Sequence, residues 1–115
     1  MIKTSFYGNK SLNQDMKLIR ISRSIPNWFK LKVVNGESLY PGWELLNGYK
    51  SGKINQNQYI EIYNQQLSLL DIDYIYQKIG ETGVLLCWEN PENFCHRRLV
   101  ANWLEKVTGY KITEI

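Results

Sequence analysis

With 115 residues, 43% of them apolar and 13% aromatic, the chain can bury one modest core but not two, so a single domain over residues 1–115 is expected. A net charge of +3 is too small to mark a nucleic-acid-binding protein, no apolar run reaches membrane-spanning length, and "MIKTSFYGNK" lacks the apolar stretch of a secretory leader. A cytoplasmic protein is therefore expected, in which Cys87 and Cys95 serve as free thiols or metal ligands rather than as a disulfide.

The opening segment alternates and ends on Tyr7-Gly8-Asn9, which predicts a strand over residues 2–7 followed by a turn. "KLIRIS", residues 17–22, predicts a second strand running into Arg23, Ser24 and Pro26. From Pro26 to Pro41 no clean period emerges, so this stretch reads as an irregular arm or lid with a short hairpin or extended piece around residues 30–34. "GWELLNGYKSG" predicts a short helix ended by Ser51-Gly52. The next segment places Tyr59, Tyr63, Leu67 and Leu70 at helical spacing behind a cap at Asn55, a stripe better suited to packing than to stacking bases. "DIDYIYQKIG" predicts a third helix with Gly80 just past its end. "GVLLCWE" is nearly continuous in its apolarity, as strands buried on both faces of a parallel sheet are. A helix over residues 94–108, closed by Gly109, and an alternating strand over residues 110–115 complete the chain.

Strands separated by helices predict a small Rossmann-like α/β fold, with about four strands in a mainly parallel sheet flanked by helices. Ligands of such sheets gather outside the carboxyl ends of the strands, which here carry Tyr7 to Asn9, Ser22 to Ser24 and Cys87 to Glu89. The last helix adds to that edge. Asn93 is the favoured cap, with Asn90 before Pro91 as the alternative start, and a start at Phe94 puts Cys95 in the first turn, where free N–H groups favour a thiolate or a bound anion. Leu99, Val100, Trp103, Leu104 and Val107 make an apolar stripe with His96 near its centre and Arg98 pointing away.

Each residue alone has a plain structural role: His96 as a hydrogen-bonded core residue, Cys95 as a small buried apolar one, and the arginines as partners of Glu89 or Glu92. Their convergence on one helix start points to a site. Cys95, His96 and Glu89 are the candidate catalytic residues, as thiolate, proton carrier and orienting carboxylate. Arg23, Arg97 and Cys87 are candidate ligand contacts, and Trp28 or Phe29 on the arm a cover that excludes water. Cys87, Cys95, His96 and Glu89 also make a conceivable zinc set, but their spacing matches no common paired pattern, so neither metal nor cofactor is assigned. No phosphate-binding loop, dinucleotide fingerprint or hydrolase triad is present in the sequence.

"LLCWENPENFCHRRLVANWL" resembles the signature of a bacterial and phage family known as domain of unknown function 488, in which an apolar strand ending in Cys-x-Glu is followed by a short loop and a Cys-His-Arg helix start. "IRISRSIP" is similar to that family's second-strand segment, with Arg23 matching an arginine and Ser22 standing where an aspartate is usual. The resemblance implies an α/β fold and a shared polar site of Arg23, Cys87, Glu89, Cys95, His96 and Arg97, with Ser22 as a further ligand-side residue. It implies no reaction. The expected partner is an anionic, phosphate-bearing, nucleotide-derived small molecule at the carboxyl edge of the sheet. The less favoured alternative is a non-catalytic module binding nucleic acid or protein through Lys30, Lys32, Lys50, Lys53, Trp28 and Trp43, with the Cys/His cluster structural or zinc-binding. Oligomeric state is not legible in the residues.

Overall fold

A computed structural model describes residues 1–89 and 94–115. Lys3–Phe6 (β1), Leu18–Arg20 (β2), Val34–Asn35 (β3), Val84–Cys87 (β4) and Thr113–Glu114 (β5) form a five-stranded sheet in the order β3-β2-β4-β1-β5, with every pairing parallel. Trp43–Lys50 (α1), Gln56–Ser68 (α2), Ile72–Ile79 (α3) and Arg97–Thr108 (α4) flank it. This is the expected α/β class with one more strand. The addition is β3, which lies parallel to β2 rather than in a hairpin. It is short, exposed and, among the described residues, paired only with β2, and so leaves little periodic signal.

Strand β4 is buried along its whole length because it sits between β1 and β2 and is covered on both sides. Leu85 shares one face with Ile19 and Ile21, where the helices deliver Tyr59, Tyr63, Leu67, Ile79, Val100 and Leu104. Val84 and Leu86 face the other way with Leu18 and Tyr7, and there Phe29, Leu31 and Val33 pack against them. The arm over residues 26–41 is therefore largely a cover for the second face of the sheet. A parallel strand needs apolar neighbours on both faces, and the helices supply only one.

Local chemistry explains the helix ends. Asn55 and Gln58 form a reciprocal capping box at the start of α2, which buries Tyr59, Tyr63 and Leu67 as the packed stripe requires. The Tyr63 hydroxyl donates to the Leu39 carbonyl at 2.6 Å, so this fully buried ring leaves no unpaired polar atom. Asp71 caps α3, and Gly109 ends α4 at φ 78°, in the left-handed region that glycine enters without a Cβ clash.

Helix α4 begins at Arg97, three residues later than the expected start at Phe94, with His96 as its N-cap; Asn90 and Asn93, the two expected caps, lie outside the described residues. Its buried side is Arg97, Val100, Ala101 and Leu104. Leu99 and Trp103 are only half-buried, and Val107 is 49% exposed, so the apolar stripe is rotated from the expected one. Contact with both α2 and β1 causes the rotation. Arg98, expected to point away, reaches back to the Thr4 hydroxyl at 2.9 Å and the Ile112 carbonyl at 3.1 Å. No described helix is long and apolar enough to cross a membrane.

Candidate functional site

The carboxyl ends of β2 and β4 open onto a cleft of about 430 Å³, and six of the catalytic and ligand-contact candidates named from the sequence line it: Ser22, Arg23, Cys87, Glu89, Cys95 and His96. The turn after β2 is held from both sides. Arg20 donates from Nε to the Ser22 carbonyl and from Nη2 to the Arg23 carbonyl, while Ser22 Oγ donates to the Ser24 carbonyl at 2.7 Å. That bond uses the serine proton, so the Tyr7 hydroxyl, 2.6 Å away, is the donor to Ser22 Oγ. Burial raises the Tyr7 pKa, outweighing the Ser22 bond and the Arg20 charge, and keeps that proton in place. Trp88 closes the turn by donating from Nε1 to the Ser24 carbonyl at 2.9 Å.

This turn presents Arg23. Its Nε donates to the Pro41 carbonyl at 2.7 Å, and its guanidinium lies over the Trp43 ring, 4.5 Å from the centroid. Among the described residues it has no carboxylate partner. The opposite wall is aromatic. Phe94 packs edge-on against Tyr59, with centroids 5.3 Å apart, and against Tyr49 at 5.9 Å, and Lys50 adds a second cation.

The floor of the cleft departs most from expectation. Cys87 and Cys95 are joined in a disulfide, and no free cysteine remains. Cys95 thus precedes the helix instead of occupying its first turn, and its sulfur is not a thiolate. Adjacency of the end of β4 to the residue before His96 brings the sulfurs together, a tertiary fact with no spacing signature. His96 is 6% exposed, and its ring is held by the Ile21 carbonyl, 2.7 Å from Nε2, rather than by Glu89. A carbonyl can only accept, so Nε2 carries the hydrogen and Nδ1 keeps a lone pair. Nδ1 lies 3.4 Å from Cys87 Sγ and 3.9 Å from Cys95 Sγ. Burial drives the His96 pKa down to about 4, the Arg97 charge adding to it and the Ile21 bond opposing it. The ring is neutral near pH 7.

Arg97 and Trp28 lie outside the cleft lining. Arg97 is 1% exposed and engages Glu114 through Nε at 2.9 Å and Nη2 at 2.8 Å, while Nη1 donates to the Glu89 carbonyl at 2.6 Å. Its guanidinium thus ties α4 to β5 and to the chain just after β4. Burial acts to raise the Glu114 carboxyl, but hydrogen bonds from Arg97 and Thr4 and the charges of Arg97 and Arg98 outweigh it and hold the pKa below the ordinary value. Trp28 is 60% exposed and stands edge-on to Phe29, on the arm covering the other face. Trp88, Tyr49, Tyr59 and Phe94 were missed as site residues, while Lys50 and Trp43 were expected only in the alternative nucleic-acid or protein surface. Only the cations and exposed aromatics carry any sequence signal, and nothing local separates them from ordinary surface or core.

Comparison with protein families matches residues 2–108 to DUF488-N3a, described as the active DUF488-N3 subclade. The chain belongs to the DUF488 family. The match extends from β1 through α4 and so spans every residue of the cleft lining, while Glu114, the partner of Arg97, sits in β5 beyond it. Comparison with curated proteins and with solved structures returns no match for this DUF488 chain.

Proposed function

We propose that the cleft binds an anionic small molecule with a flat heterocyclic body, of the nucleotide-derived class, with Arg23 as the principal anion contact. The observation that carries this reading is the state of Arg23: a guanidinium fixed by the Pro41 carbonyl and the Trp43 ring, at a cleft, with no carboxylate partner among the described residues. A preordered fork loses little side-chain freedom when it engages a phosphate, which raises affinity. Lys50 supplies a second charge, and Tyr49, Tyr59 and Phe94 supply the apolar surface a base requires. Membership in a subclade described as active favours a working cleft over a purely structural one.

The roles are narrower than the residues alone imply. Ser22 and Tyr7 hold the turn that presents Arg23, and Arg97 serves the fold through Glu114. Glu89, exposed at the rim, discriminates against ligands carrying negative charge on that side. The test is calorimetric titration with nucleoside mono- and diphosphates. Arg23→Ala removes a charge-assisted contact worth about 1.5–3 kcal/mol, so affinity is expected to fall roughly 10- to 150-fold. Unchanged affinity in that variant, or no binding of any of these nucleotides at millimolar concentration, overturns the proposal.

A further inference from the structure

The cluster at the cleft floor contains more than a disulfide. Cys87 Sγ, Cys95 Sγ and a ring nitrogen of His96 lie within 4.8 Å of one another, and all three residues line the cleft. A tetrahedral zinc ion, with bonds of about 2.3 Å to sulfur and 2.0–2.1 Å to nitrogen, sets sulfur and nitrogen ligands roughly 3.6 Å apart and two sulfurs roughly 3.8 Å apart. The observed Sγ to Nδ1 distances, 3.4 and 3.9 Å, bracket the first value. The Cα atoms of Cys87 and Cys95 are 7.0 Å apart, at the upper end of what a disulfide spans, so side-chain rotation alone can part the sulfurs to the second.

The histidine provides a second, independent observation. Metal-ligating imidazoles donate their other N–H to a carbonyl or carboxylate, which fixes both tautomer and ring orientation. His96 does this already: Nε2 is committed to the Ile21 carbonyl, and the Nδ1 lone pair is turned toward the sulfurs. A purely structural disulfide has no need of a buried imidazole oriented in that way.

We propose that reduction of the Cys87–Cys95 disulfide converts this cluster into a three-ligand site for a zinc-like divalent cation, with the fourth position open to the cleft. In the reductive step two molecules of a low-molecular-weight thiol become one disulfide, and each cysteine sulfur takes up a proton. On binding the cation, the two thiols release two protons and His96 binds as the neutral imidazole. Disulfide and metal exclude each other, so the redox state of the chain selects which occupies the floor. Two thiolates with one imidazole and an open position suit a borderline cation such as zinc better than magnesium or calcium.

The test uses the full chain, reduced with a phosphine in chelator-stripped buffer and titrated with cobalt(II) and with zinc against a chromophoric chelator. Expected are one cation per chain, a thiolate-to-cobalt charge-transfer band, and no binding by the disulfide form. Cys95→Ala is expected to lower affinity by more than the roughly 10- to 100-fold that loss of a partner outside the ligand set costs. A reduced, folded wild-type chain without the band overturns the proposal whether or not the variant folds. So does equal affinity in the disulfide form or in Cys95→Ala. Arg23→Ala is expected to bind zinc like the wild type, so failure here is distinguishable from failure of the nucleotide reading.

Discussion

Glu114→Ala tests how α4 is held to the sheet. Arg97 is almost wholly buried, and the Glu114 side chain is 22% exposed, so the substitution strands a guanidinium that keeps, among the described residues, only its bond to the Glu89 carbonyl. Removing one member of a buried pair costs about 3–5 kcal/mol, and the partial exposure of Glu114 admits water that places this case near the lower figure. A loss of about 3 kcal/mol is a large share of a total of about 5–15 kcal/mol and, at a urea slope of about 1.5 kcal/mol/M, lowers the unfolding midpoint by roughly 2 M. Replacing both partners, Arg97→Met with Glu114→Leu, is expected to recover much of that loss, because no charge is then left buried. Acid acts in the same direction as the single variant. The Glu114 pKa is depressed in the folded chain, so its contribution is present above the ordinary carboxylate range and is lost as pH falls through the folded value. A midpoint change in Glu114→Ala worth under about 0.5 kcal/mol would show that the pair behaves as a solvated surface bridge and refute this account.

Reduction of the disulfide in chelator-containing buffer is expected to cost about 2.5 kcal/mol, from the entropy of closing a loop between cysteines 8 residues apart, read as a fall in the urea midpoint; an unchanged midpoint would show that the bond contributes nothing to folding. Gly83→Ala is expected to cost about 1–3 kcal/mol. The new Cβ would stand 2.6 Å from the Ile79 carbonyl oxygen and 2.8 Å from the Ile19 side chain, and wild-type stability in this variant would mean that α3 does not press on the start of β4 so closely.

The α/β class, the buried character of β4, the capped α2 with its tyrosine stripe, and the placing of Ser22, Arg23, Cys87, Cys95 and His96 at one edge were legible in the residues, because each depends on a local period, cap or strand end. The cleft's aromatic wall was not. Tyr49, Tyr59 and Phe94 come from α1, α2 and the approach to α4, and only packing brings them together. Arg97 and Arg98 show the same division. Their side-by-side positions promise one inward and one outward charge, yet both are drawn to the sheet: Glu114 and the Glu89 carbonyl hold Arg97, while Thr4 and the Ile112 carbonyl hold Arg98. The disulfide depends in turn on where the chain re-enters beside β4. Local sequence sets which elements form and which edge they share. Pairings between atoms far apart along the chain decide what the edge holds, because burial leaves a polar group stable only where another segment supplies its partner.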